Sequence, residues 1–207
     1  MTYFPPSTFK AGILLGVCLL LSSCQPSGRL SPLAIDATIL AFGDSLTHGT
    51  GVGRDQSYPM VLSSLISRTV ISAGVPGEVS ADGLKRLAAL LENSRPDLVI
   101  LCHGGNDILR RMSGAQTEKN LRAMIDLVRT QGAEVVVVAV PTFSLFPKAA
   151  SYYAVIEDEL DVPIEIDILA SLISDNSKKS DRVHLNSIGY REMAEAVERL
   201  LRDEGAL

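Results

Sequence analysis

The chain has 207 residues, of which 46% are hydrophobic and 21% charged, enough for one compact domain with a substantial core and short for two. Its formal charge of −5 leaves no broad basic surface for a phosphate backbone, so nucleic acid is excluded as an expected partner. At the start of the chain, Lys10 precedes an uncharged apolar run over residues 11–21 and the small residues Ser22-Ser23-Cys24. The run falls short of the roughly 20 apolar residues that span a bilayer. A positive segment, a short apolar segment and small residues form the export pattern, so residues 1–23 read as a signal peptide, with a buried helix as the plainer alternative.

Leu21-Ser22-Ser23-Cys24 resembles the lipobox of bacterial lipoproteins. That resemblance implies fatty-acyl modification (palmitate or similar) of Cys24, with Cys24 as the first mature residue. Several acyl chains on one residue anchor durably where a single chain binds marginally. Gln25 follows in place of aspartate, which resembles outer-membrane sorting and places the protein at the cell envelope, facing the periplasm. Of the three cysteines, Cys18 then leaves with the signal and Cys24 carries lipid. Cys102 is left at the end of an apolar run, where a small buried hydrophobe is expected rather than a nucleophile, and no intrachain disulfide is expected.

Residues 24–36 are rich in Pro, Ser and Gly without hydrophobic period and read as a tether; the domain is expected over residues 37–207. Short apolar runs at 38–42, 69–73, 98–102 and 134–140 read as strands, with a weaker fifth at 162–166. The fourth is β-branched almost throughout with no alternation, as suits a parallel strand covered on both faces. Helical patterns intervene at 84–91, stopped by Asn93-Ser94-Arg95-Pro96, and at 117–130, with Gly132 as a C-cap. A last helix opens at Asn186 or Ser187 and runs to about Arg202, with Ile188, Met193, Ala196, Val197, Leu200 and Leu201 along one face. Strand-helix alternation predicts a three-layer α/β/α sandwich around a parallel sheet of about five strands, with ligands at the strands' carboxyl ends.

Four segments carry candidate chemistry. Gly43-Asp44-Ser45-Leu46 follows the first strand and delivers a serine to that edge; such a serine is also a common helix N-cap. Asp181-Arg182-Val183-His184 precedes the last helix. A serine nucleophile needs a base, and the base needs a carboxylate on its other nitrogen, which Asp and His three apart can supply; a surface turn capped by aspartate is the alternative. Ala73-Gly74-Val75-Pro76-Gly77 and His103-Gly104-Gly105-Asn106-Asp107 follow the second and third strands and suit donors to an oxyanion, or ordinary Gly-rich turns. Asp44 and Asp107 read as loop braces. His48 remains a rival base, and His48 and His103 read otherwise as pocket-wall or solvent-facing residues. The run Gly49-Thr50-Gly51-Val52-Gly53 lacks the Lys-Ser/Thr of a phosphate loop and reads as a flexible rim. Residues 141–147, with Phe143, Leu145 and Phe146, suit an acyl-chain groove or an ordinary packed loop.

Together these motifs resemble the GDSL/SGNH hydrolase family, in particular its bacterial thioesterase I, lysophospholipase and arylesterase branch. The resemblance implies a flavodoxin-like sandwich (the SGNH hydrolase fold) and a serine esterase acting on carboxylic esters or thioesters. It implies Ser45 as nucleophile, His184 as base and Asp181 as its orienter. The Ser45 N–H, the Gly77 N–H and the Asn106 amide would form the oxyanion hole, with no metal and no cofactor. Its partners would be a small-molecule or lipid ester substrate and, through Cys24, the membrane. Ser72 and Cys102-His103 depart from the residues common at those places; neither touches the catalytic set, but both flank the donor loops and leave the finer substrate open. A carbohydrate O-acetylesterase using the same residues is an alternative, and so is a non-catalytic, membrane-anchored binding module, which requires the four matches to be relics.

Overall fold

The computed structural model describes residues 1–3 and 28–207. Cys18, Cys24, the lipobox, residues 24–27 of the tether and all but residues 1–3 of the expected signal peptide lie outside the described residues. No helix among the described residues is long and apolar enough to cross a membrane.

In chain order the elements are β1 (Thr38–Gly43), α1 (Ser45–His48), α2 (Tyr58–Ile66), β2 (Thr69–Gly74), α3 (Ser80–Ser94), β3 (Leu98–Cys102), α4 (Gly105–Leu109) and α5 (Gly114–Thr130). There follow β4 (Glu134–Val138), α6 (Tyr152–Leu160), β5 (Ile164–Glu165), α7 (Ile168–Ser174) and α8 (Ser187–Asp203). The five strands form one parallel sheet in the order β2-β1-β3-β4-β5. On one face α2 packs against α8 and α8 against α7; on the other α3 packs against α5 and α5 against α6. The result is the three-layer α/β/α sandwich that the alternation implied, with the flavodoxin-like arrangement that the resemblance implied, and its order reverses at β1 and β3, where ligands of such sheets bind.

Both faces are covered, so every residue of β3 is buried, as are Val135 to Val138 of β4. Each fully buried Leu, Ile or Val side chain contributes about 1.5–3 kcal/mol. The register aligns Gly43 with Gly74 and with Cys102, which brings the loops after β1, β2 and β3 to one edge. Cys102 is fully buried, and burial pushes its thiol well above the ordinary range, so it packs as a small hydrophobe.

Three expectations change here. Residues 28–36 belong to the domain rather than to a tether. Leu30 is buried, its N–H and that of Leu33 donate to the carbonyls of Glu204 and Ala206, and Arg29 pairs with Glu204 and Glu157. Ile188 faces solvent although its spacing put it on the apolar face of α8; Met193, Ala196, Val197 and Leu201 make that buried face. The strand within the run 134–140 ends at Val138; the Ala139 N–H still donates to the Glu165 carbonyl, and Ala139 and Val140 continue as buried chain into the next loop.

Candidate active site

Asp44 starts α1: its carboxylate accepts the Leu46 N–H at 3.1 Å, and Gly49, at φ 85°, ends the helix after one turn. Ser45 is thereby the first residue of a one-turn helix at the sheet edge rather than its N-cap. At the other end of the chain, Lys179 bridges to Leu185 and the Ser180 N–H donates to the His184 carbonyl, closing a tight loop. Within it one Asp181 oxygen accepts the N–H groups of Val183 and His184, both at 2.8 Å. Asn186 then caps α8 by accepting from Ile188 and Gly189. His184 therefore stands two residues ahead of a firmly capped helix, on a turn that its own aspartate organises.

This geometry aligns three side chains. Asp181 Oδ2 lies 2.7 Å from His184 Nδ1, and His184 Nε2 lies 3.0 Å from Ser45 Oγ. Burial pushes the Asp181 carboxyl up, but the His184 hydrogen bond and the two N–H groups outweigh it and hold the group down at about 2. Asp181 is thus ionised at any pH near neutrality, as a carboxylate must be to orient an imidazole and stabilise its cation.

Asn106 lies in the same cleft as Ser45 and His184. Its amide nitrogen donates to Asp44 Oδ2 at 3.2 Å and to the Glu78 carbonyl at 3.0 Å. Gly77, at φ 78°, does not line that cleft; it immediately precedes Glu78 in the neighbouring loop, which Arg110 clamps by donating to the Gly77 carbonyl at 2.8 Å. Among the described residues, the N–H groups of Ser45 and Gly77 donate to no other group. Asp44 and Asp107 act as braces. Burial pushes the Asp44 carboxyl up against the pull of His103, the Leu46 N–H, His184 and Asn106. Asp107 accepts from the Ser80 N–H, the Ser80 hydroxyl and the Thr117 hydroxyl.

His48 is exposed beside Arg54 and Ser72 and does not reach Ser45. His103 corrects the expectation of a pocket wall or a solvent-facing residue: it is fully buried behind the site. Its Nε2 lies 3.1 Å from Glu78 Oε2, its Nδ1 accepts the Gly104 N–H, and the Tyr153 hydroxyl donates to its carbonyl. Arg86 completes the cluster. It donates twice to the Glu78 carboxylate and to the carbonyls of Ala73 and Gly43, with its guanidinium 4.3 Å above the Phe42 ring. Burial raises the Glu78 carboxyl, and the hydrogen bonds from Arg86 and His103 bring it down to about 2. Glu78 and Arg86 were not singled out from the sequence. The usable signal was the position of Glu78 directly after Gly77, since its partner His103 is 25 residues away. The cluster fixes the loop whose carbonyl holds Asn106.

The rim run 49–53 is packed rather than loose: Gly51 sits against Ser180, and Tyr190 donates to the Thr50 carbonyl. The cleft at Ser45 is small, about 20 Å³, and shares Leu109, Phe143, Ile173 and Val183 with a groove of about 760 Å³. Leu145, Pro147, Lys179 and Arg182 line the groove further out. Of the three residues expected to line a groove here, Phe143 and Leu145 do so, while Phe146 is not among its lining residues and is exposed to solvent.

Residues 41–192 match the GDSL-like lipase/acylhydrolase family. The chain belongs to that family. Among proteins to which it is similar are Esterase TesA of Pseudomonas aeruginosa, 36% identical over 127 residues, and an arylesterase of Vibrio mimicus, 32% identical over 134 residues. These alignments cover 59% and 56% of this chain, and 63% and 67% of the relatives; the chain thus spans somewhat under two thirds of the first relative's length. A crystal structure of TesA superposes with a TM-score of 0.73 at 26% identity, covering 80% of this chain and 98% of that one. The fold of this family member is therefore that of the GDSL/SGNH hydrolases.

Proposed function

We propose that this family member is a serine esterase that hydrolyses carboxylic esters through an acyl-enzyme, with Ser45 as nucleophile, His184 as general base and acid, and Asp181 as the orienting carboxylate. The observation that carries the reading is the unbroken line from Asp181 Oδ2 to His184 Nδ1 and from His184 Nε2 to Ser45 Oγ, at 2.7 and 3.0 Å. Ser45 Oγ forms a bond to the acyl carbon while its proton passes to His184 Nε2. Collapse of the tetrahedral intermediate breaks the bond to the leaving oxygen or sulfur, which takes that proton. Water then adds to the acyl carbon, gives a proton to His184, and frees the acid and Ser45.

In the cleft, the charge that builds on the carbonyl oxygen is met by the Ser45 N–H and the Asn106 amide, with the Gly77 N–H of the adjoining loop as the third donor that the family resemblance implies; each such donor contributes about 2.7–4 kcal/mol. For Asn106 this means exchanging one existing partner. The 3.2 Å bond to Asp44 is the longer of its two, and Asp44 is the residue whose charge burial already disfavours.

The groove that continues the cleft past Leu109, Phe143 and Ile173 suits an acyl chain, and so favours an arylesterase, lysophospholipase or thioesterase type of substrate. The confined cleft at Ser45 itself favours a second reading, a carbohydrate O-acetylesterase acting on short acyl groups. Initial rates on p-nitrophenyl esters from acetyl to palmitoyl, beside Ser45→Ala, separate them. The first reading predicts kcat/KM rising beyond butyryl, the second a fall after acetyl, and both predict loss in Ser45→Ala; rates equal to that variant on every ester would leave the binding-module alternative. We further propose lipid on Cys24 and residence at the cell envelope, on the strength of Leu21-Ser22-Ser23-Cys24. The intact mass of the membrane-extracted protein tests this: a chain beginning at Cys24 with an acyl-sized excess supports it, and an unmodified Cys24 contradicts it.

A further inference from the structure

We infer that the rim of the groove beside Ser45 docks on an anionic lipid surface. The loop after β4 is held from within: Pro141 bridges to Ala149, the Thr142 N–H donates to the Lys148 carbonyl at 2.9 Å, and the Ser144 hydroxyl donates to the Phe146 carbonyl at 2.7 Å. At its tip Leu145 and Phe146 stand 88% and 77% exposed, although the backbone that carries them is bonded. Leu109, which lines the groove, is also exposed, as is Met112 three residues further along the chain. Large apolar side chains gathered on one rim, rather than scattered, mark an interaction site.

The surrounding charge identifies the partner. Arg110 and Arg111 lie between Leu109 and Met112, Lys148 closes the apolar loop, and Lys179 and Arg182 line the groove with Phe143 and Leu145. Among the described residues Arg111, Lys148, Lys179 and Arg182 make no ion pair within 4 Å, and Arg110 spends its guanidinium on the Gly77 carbonyl. Asp181 and Asp175 stand in the same stretch and keep their negative charge, Asp175 through its hydrogen bonds from Ser177 and under the pull of Lys178 and Lys179, so the five cations Arg110, Arg111, Lys148, Lys179 and Arg182 exceed two carboxylates. A chain with a net charge of −5 thus presents an excess of cations beside an apolar rim. A bilayer with anionic headgroups supplies both complements, acyl chains for Leu145 and Phe146 and negative charge for the cations.

The chain contains no tryptophan, so a single introduced one reports its own surroundings. Full-length Phe146→Trp and Leu145→Trp are compared with Asn93→Trp, which places the probe at the end of α3, on the opposite edge of the sheet. With phosphatidylglycerol-containing vesicles, the rim probes are expected to shift to the blue and to be quenched by brominated acyl chains several-fold more than the Asn93 probe. The shift is expected to weaken in phosphatidylcholine vesicles and at high salt. Rim probes quenched no more than the Asn93 probe would overturn the proposal, as would equal insertion into both vesicle types. A concentration-dependent blue shift without lipid would overturn it in favour of a second copy of this chain. The readout needs no turnover, so it stands or falls separately from the esterase reading.

Discussion

His184→Ala is expected to lower kcat on a p-nitrophenyl ester by roughly a million-fold, the scale of loss when the base of a Ser-His-Asp unit is removed. Without it Ser45 Oγ has no acceptor at 3.0 Å, and a hydroxyl at its own pKa is a poor nucleophile. Asp181→Asn should cost about 10⁴-fold, because the amide reverses the hydrogen bond to Nδ1 and selects the wrong tautomer. Both variants should stay folded, since the side chains of His184 and Asp181 are 19% and 52% exposed and cover little apolar core. Steady-state rates beside circular dichroism check this; a loss under tenfold in a folded His184→Ala would move the base elsewhere, with His48 the first candidate.

Gly74→Ala should be the most destabilising single methyl in the molecule's functional edge. A Cβ there would lie 2.1 Å from the His48 nitrogen, 2.6 Å from the Thr47 carbonyl carbon and 2.7 Å from the Asp44 oxygen. All three are backbone atoms of α1 and its cap, so no rotamer change relieves the overlap. Either β2 leaves its register with β1 at Gly43, or α1 moves and takes Ser45 with it. Overpacking of this kind costs about 3 kcal/mol or more, which in a domain of this size lowers Tm by roughly 6–12 °C. Thermal unfolding measures it, and a Tm within a degree or two of wild type would contradict the close packing of β2 on α1.

The first prediction draws on a local sequence pattern that survives in the fold, the second on the close packing of β2 against α1, segments well apart in sequence. The valine run over 135–138 has the composition of a doubly covered strand, and Asp181 and His184 meet within a single turn, where spacing alone brings carboxylate and imidazole together. Contacts between distant segments were not legible in this way. Glu78 meets His103 across 25 residues, and Arg29 meets Glu204 across 175, so neither the buried histidine nor the docking of residues 28–36 has a local signal. Helices α2, α6 and α7 escaped notice for a different reason. α2 carries Pro59 at its start and has Ser63 and Ser64 between its buried Leu62 and Ile66, while α6 and α7 span only nine and seven residues, too short for a helical period to stand out. Helix α3 begins four residues before Leu84 because Asp107, from another segment, fixes Ser80 at its start.

The most direct test of the central claim is to treat the full-length chain with diethyl p-nitrophenyl phosphate and locate the adduct by tandem mass spectrometry. Attack by an activated serine releases p-nitrophenol and leaves one diethylphosphoryl group on the protein. A single adduct is expected on Ser45, absent from Ser45→Ala and from His184→Ala. An unmodified Ser45, or an adduct that persists on another residue in Ser45→Ala, would contradict it.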